Sequence, residues 1–271
     1  MSIDLNALKI ANDSGFPLQI AVATQVMQSS MSHGWKVRYT EHSWVNRSDH
    51  ANGFIDLVLQ DRHGSTFLVV ECKRKSETWV FMHADGTAKK RRHAKAWASH
   101  YADGGMKCFG WADVAPDPDC PEAAFCAVRG QSASDKTTML ERIGGELVCA
   151  TEALAQEERD FRRANQESIR FYFNVVVTTA DLKIATFSPG DISLSDGTLG
   201  DAQIEDVPFV RFRKQLSTRE TSLGPADVEN GIDPAYSKEN TIFVVRANKL
   251  LEFLRQFELS EVEFRLPKHG G

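Results

Sequence analysis

The sequence predicts an α/β protein: a central mixed sheet flanked by helices, with further α/β elements towards the C-terminus. Three observations predict it. Apolar runs of strand length occur at 54–59, 67–72 and 171–177. Apolar residues recur at helical spacing over two longer stretches, 18–27 and 140–154. Their order is helix, three strands, an inserted region, helix, strand, which is a layered α/β pattern.

Taken in order, Asp13-Ser14 with Pro17 opens the first helix, where Leu18, Ala21, Val22, Val26 and Met27 recur until Gly34 stops it. Residues 35–45 alternate as a strand, with Val37, Tyr39 and Glu41 on one side. A hairpin follows at about 54–61 and 66–73. With His63-Gly64 as a two-residue turn, opposed residues have numbers summing to 127. Ile55 then faces Cys72, Leu57 faces Val70 and Leu59 faces Leu68, giving one apolar face. On the other face Asp56 lies opposite Glu71, with Lys73 one step along. Residues 78–82 read as a short strand, 88–101 as a basic helix closed by Asp103-Gly104-Gly105, and 103–121 as a Gly/Pro/Asp loop. A strand at 123–128 precedes a long helix capped by Ser134-Asp135, with the stripe Leu140, Ile143, Leu147, Thr151 and Leu154. Its charged last turns, 157–163, are expected to project into solvent. Strand 171–177 follows, and 182–187 is expected to pair with it. Beyond 188 the chain is rich in Gly, Asp, Ser and Pro, interrupted by a strand at 209–212. It ends with a strand at 242–245, an amphipathic helix carrying Leu250, Phe253, Leu254 and Phe257, and a short strand near 262–266. Residues 1–180 thus form the core, with an insertion at about 76–134, and 181–271 form a C-terminal α/β extension or lobe.

Composition narrows the function classes. The chain has 271 residues, 42% hydrophobic and 25% charged, with a formal net charge of −5. That balance argues against a protein that coats nucleic acid non-specifically. The charge is uneven, however: residues 71–95 hold eight Lys/Arg against three acids. An acidic body with a basic mouth suits an enzyme that meets a polyanion at one place. No apolar run reaches bilayer length, so no membrane partner is expected. The N-terminus has no secretory-signal pattern, and five cysteines are too sparse for a disulfide scaffold, so a cytoplasmic location is expected.

The hairpin carries the chemistry. Two carboxylates opposed across a hairpin sit about 4.5–5.5 Å apart at Cβ and destabilise each other. A divalent cation bridging Asp56 and Glu71 would remove that conflict. Asp56, fourteen intervening residues and then Glu71-Cys72-Lys73, preceded by a helix and a strand, resembles the PD-(D/E)xK nuclease superfamily and its restriction-endonuclease-like fold. Ile55 stands where the motif name has proline, the most variable position of the family pattern. The family core, α-β-β-β-α-β, would run from about 15 to 75 and resume at 136–163 and 170–178. The resemblance implies a Mg²⁺-dependent nuclease, with Mn²⁺ able to substitute, hydrolysing phosphodiester bonds of nucleic acid, DNA foremost. Asp56 and Glu71 would be the metal ligands with the backbone carbonyl of Cys72. Lys73 would orient or deprotonate the attacking water. Glu41 would add a third carboxylate, and Gln19 would reach in from the first helix.

Lys75, Lys89, Lys90, Arg91, Arg92 and Lys95 are the candidates for gripping a phosphate backbone. Arg211 and Arg213 share one face of a strand, as ordinary amphipathic patterning also requires. A second string, Asp181-Leu182-Lys183, has no opposed carboxylate and is set aside. Cys108, Cys120 and Cys126 lack the tight pair that a zinc site uses, and Cys126 and Cys149 read as core. No nucleophile elbow, Walker loop or dinucleotide fingerprint occurs. Two alternatives stand beside the nuclease. One is a catalytically silent member of the same fold that binds nucleic acid or protein. The other is an interaction protein using the loop-rich 188–240 segment. A cut through both strands would call for a homodimer.

Overall fold

In the computed structural model, residues 4–47, 50–85, 93–102, 104–129, 137–161, 168–216, 238–261 and 263–264 are described. Helix α1 (Leu5–Asp13), capped by Asp4, is absent from the sequence expectation and buries no side chain. Helix α2 (Phe16–His33) runs from Pro17 in its first turn to Gly34, whose φ of 77° closes it. Its buried side is Gln19, Val22, Ala23 and Val26, so Ala21 and Met27 of the expected stripe lie outside the core.

Strands β1 (Lys36–Val45), β2 (Asn52–Gln60) and β3 (Thr66–Lys73) form an antiparallel meander. Helix α3 (Met139–Asp160) then leads to β10 (Ser168–Thr178), which lies parallel to β3 with Phe171 beside Thr66 and Thr178 beside Lys73. Late in the chain come β13 (Phe209–Gln215), β14 (Glu239–Arg246) and helix α4 (Leu250–Gln256). The main sheet runs β1-β2-β3-β10-β14-β13, ending on the two-residue β8 (Glu122–Ala123). It is a mixed sheet with helices on both faces. On one face Val22 and Val26 of α2 and Phe253 of α4 pack with Leu57, Leu68, Val70, Phe173 and Phe243. On the other, Ile143, Leu147 and Leu154 of α3 pack with Val58, Phe67, Val69, Tyr172 and Ile242. Coverage on both faces explains the uninterrupted apolar runs of β3 and β10.

Several expectations are corrected. The basic helix at 88–101 is, from 94 onward, strand β5 (Ala94–Ala102); residues 86–92 lie outside the described residues. The loop at 103–121 contains strand β6 (Gly105–Val114), which pairs with β5, and the short β7 (Pro116–Asp117). Ala94, Ala96 and Ala98 favour a helix in isolation, but burial between β10 and β6 overrides that preference. Strand β11 (Asp181–Phe187) does not pair with β10. It joins a second sheet with β4 (Thr78–Ala84), β9 (Phe125–Val128) and β12 (Gln203–Asp206). Helix α3 is capped by Thr138 in a capping box with Glu141; Ser134-Asp135 lie outside the described residues. Within its charged last turns Glu158 turns inward, 5% exposed and bonded, whereas Asp160 and Phe161 are exposed and residues 162–163 lie outside the described residues. A two-residue β15 (Glu258–Leu259) pairs with β7, and the strand expected near 262–266 falls mainly outside the described residues. No helix among the described residues is long and apolar enough to cross a membrane.

Candidate active site

The β2–β3 hairpin has the expected register: Leu57 pairs with Val70 and Leu59 with Leu68. The turn is wider than two residues. Asp61 organises it, its Oδ1 accepting from the N–H groups of Ser65 (2.9 Å) and Thr66 (3.1 Å). Lengthening a loop equally on both sides leaves the sum of opposed numbers unchanged, so the register survives the correction.

The ladder ends at Leu57 and Val70, one step before the two carboxylates. There the Asp56 side chain takes over a backbone role: its Oδ2 accepts the N–H of Cys72 at 2.7 Å. The strand also changes face. Leu57 packs on the α2 side, whereas Ile55 joins Trp44 and Val58 on the α3 side, so the expected Ile55–Leu57–Leu59 face is broken at Asp56. Strand β1 breaks at the matching place. Glu41 falls between the pairs Thr40–Leu57 and His42–Ile55, and its φ is 49°. A left-handed non-glycine residue inside a strand costs on the order of 1–3 kcal/mol and persists only where its surroundings hold it. Tyr39 therefore reaches Glu158 of α3 while Glu41 meets Gln19 of α2. A bulge at Arg38 further separates Val37 from Tyr39. Val37, Tyr39 and Glu41 do not share one side.

These two breaks bring the expected residues together. Gln19, 8% exposed on the first turn of α2, donates through Nε2 to Glu41 Oε1 and to the backbone carbonyl of Asp56 at 3.1 Å. Lys73 Nζ lies 2.5 Å from Glu71 Oε1. Burial pushes the Asp56 carboxyl above its ordinary range; the Cys72 N–H and Lys73 pull it down, and Glu41 adds to the rise. Burial also raises the Glu71 carboxyl, followed by the charge of Asp56; Lys73 opposes this, and Glu146 of α3 contributes on the raising side. Asp56 and Glu71 thus share one lysine. The Cys72 thiol points into the core and burial raises it strongly, which removes it as a nucleophile. Its backbone carbonyl belongs to the part of β3 in register with Val177 of β10.

The donor set suits a hard cation. Asp56 Oδ1 and Glu71 Oε2 have no hydrogen-bond donor among the described residues, so each carboxylate keeps one free oxygen. No group of three His, Cys, Asp or Glu side chains among the described residues encloses an ion. Mg²⁺ does not require one, since it usually binds through one or two carboxylates and retains several waters.

The basic candidates fare differently. Lys95 is corrected: it is 1% exposed and ion-paired with Asp113 Oδ2 at 3.0 Å, on a strand rather than a basic helix. Lys75 exchanges backbone hydrogen bonds with the Thr179 hydroxyl and is half-buried. Lys89, Lys90, Arg91 and Arg92 lie outside the described residues. Arg211 and Arg213 are buried, on Glu122 and on Asp113 and Glu239 respectively. In the rejected string, Asp181 bonds Arg246 and Lys183 bonds Asp206.

A cleft of about 560 Å³ opens between the start of β2 and the first half of α3. Glu71 lines it, together with Trp44, Asn52, Phe54, Arg142 and Glu146. Sequence reasoning missed these last five. Their one legible signal is Gly53, whose missing Cβ would stand 3.2 Å from the Trp44 indole nitrogen, so that the ring can lie across the strand. No protein-family model, curated protein or solved structure matches the chain.

Proposed function

We propose that the protein is a Mg²⁺-dependent phosphodiesterase that hydrolyses nucleic acid, DNA foremost, on a core of the restriction-endonuclease-like type. The observation that carries this reading is the convergence of Gln19, Glu41, Asp56, Glu71 and Lys73. They come from four consecutive elements and meet through two local breaks in β1 and β2. The order of α2, three antiparallel strands, α3 and a parallel β10 is in keeping with the α-β-β-β-α-β core of that family.

Asp56 and Glu71 would hold the cation through their free oxygens, with Glu41 at the exposed edge. The ion, when bound, supplies charge for a phosphate oxygen and lowers the pKa of water. In the reaction a water oxygen would attack phosphorus as its proton passes to solvent, and the bond to the leaving sugar oxygen would break as that oxygen takes up a proton from solvent. Lys73, held by Glu71, orients that water and offsets negative charge building on the phosphoryl oxygens. Gln19 is a positioning residue: its amide holds the Glu41 side chain and the Asp56 backbone at a fixed separation.

The test is cleavage of plasmid and oligonucleotide DNA. Activity should require Mg²⁺ or Mn²⁺, stop with chelator, and fall by about 10²–10³-fold or more in Asp56→Ala, Glu71→Ala and Lys73→Ala, the range seen when one transition-state-stabilising group is removed. Full activity in Glu71→Ala would refute the assignment.

A further inference from the structure

The cleft beside Glu71 has a character unlike that of a phosphate-gripping groove. Among the described residues its lining holds Glu71, Glu141 and Glu146 against one cation, Arg142. Glu141 is already engaged by Lys214 and by the α3 cap. A sugar-phosphate backbone laid along such a cleft would be repelled. The walls are otherwise apolar and aromatic. Phe54 stands 66% exposed on the rim, two residues before Asp56, and Trp44 forms part of the wall. Asn52 and Thr137 add hydrogen-bonding groups. The volume falls in the range of about 300–1,000 Å³ typical of pockets that enclose a small ligand.

A neutral, planar, hydrogen-bonding group fits these walls, and the polymer that presents one next to a scissile phosphate is a strand with unpaired bases. We infer that the cleft takes up an unpaired nucleobase of the substrate, stacked on Phe54, so that the preferred substrate is single-stranded or locally unpaired nucleic acid. The inference rests on the nuclease reading for the identity of the polymer. Affinity here comes from stacking rather than from phosphate contacts, consistent with the burial of Lys95, Arg211 and Arg213.

The test is fluorescence anisotropy of the full chain with labelled DNA oligonucleotides in Ca²⁺. A single strand should bind at least tenfold more tightly than the duplex of the same sequence. Abasic nucleotides should remove that advantage. Phe54→Ala, a change at an exposed ring, should weaken single-strand binding about tenfold, within the range for loss of one base–aromatic stack, while Phe54→Trp retains it. Equal affinity for single strand, duplex and abasic strand, or an unchanged Phe54→Ala, overturns the inference. Binding is read separately from cleavage. Stacking-dependent binding without metal-dependent cleavage sinks the nuclease reading and leaves the cleft assignment standing; metal-dependent cleavage with strand-indifferent binding does the reverse.

Discussion

Asp56 and Glu71 cost the fold free energy. Both carboxyls are raised by burial, and each is raised further by a neighbouring carboxylate. A carboxyl whose pKa is raised on folding stabilises the folded state while protonated, below its unfolded value, and loses that contribution as pH rises through its folded value. Neutralising one member should therefore stabilise the protein at neutral and alkaline pH and do nothing in acid. Glu71→Gln, with Glu71 only 18% exposed, should raise stability by about 0.2–1 kcal/mol at pH 8, the scale of an opposed like-charge pair. Thermal melts in chelator at pH 8 and near pH 4 check this, and a gain of the same size at both pH values would contradict it. The same pair makes a second prediction that needs no substrate. If the pair holds Mg²⁺ as proposed, the ion should raise the melting temperature of the wild type by binding the folded state, and should leave Glu71→Gln unmoved.

At the scale of elements, one buried carboxylate ties the C-terminal end of α3 to two strands of the sheet. Glu158 accepts from Arg38 Nε (2.9 Å) and Tyr39 hydroxyl (3.2 Å) of β1, and from Arg170 Nη1 and Tyr172 hydroxyl (both 2.7 Å) of β10. Its removal strands two guanidinium groups beside the Phe67 ring. Glu158→Ala should destabilise the protein by about 3 kcal/mol, as breaking one side of a buried ion pair does, seen as a lower urea midpoint at unchanged slope. Nothing in the sequence marked this residue, because Glu157 to Arg163 read alone as a solvated helix end. The contrast with the hairpin is instructive. Its register was legible because both strands are local and their apolar residues alternate around a short turn. The meeting of Asp56, Glu71 and Lys73 was legible for a related reason, since charged groups on otherwise apolar strands stand out. Glu41 and Gln19 carry no such mark, because a Glu near a strand end and a Gln on a helix more often face solvent. What the sequence concealed depends on distant partners. Strand β5 looked helical because its alanines say nothing of β10 and β6. Lys95 looked basic and exposed because Asp113 lies on another strand. The cleft was invisible because it exists only where α3 lies over the start of β2.

For the whole molecule, the decisive feature is the position of β14. Strand β10 is long, and its edge away from β3 is divided: residues 168–172 pair with β5, and residues 174–178 pair in parallel with β14. Ile242, Phe243, Val244 and Val245 are accordingly among the most buried residues. Asn174 ties the layers together, accepting from Thr151 of α3 at 2.7 Å and donating to the Thr241 carbonyl of β14 at 3.2 Å. Trp35, at the end of α2, donates to the Leu254 carbonyl of α4 at 2.9 Å, and Phe173, Phe243, Phe253 and Phe257 form an aromatic cluster under the sheet. A chain stopping near residue 180 would keep all five site residues and lose these partners. It would expose the β10 edge and a broad apolar face, both of which promote association with other chains. The full chain is therefore expected to melt in one cooperative transition, with the slowest hydrogen exchange in β3, β10 and β14. The fragment 1–180 should be insoluble or lack a cooperative melt. A soluble, cooperatively melting 1–180 fragment would show instead that the site stands on an autonomous core, with the later strands added to it.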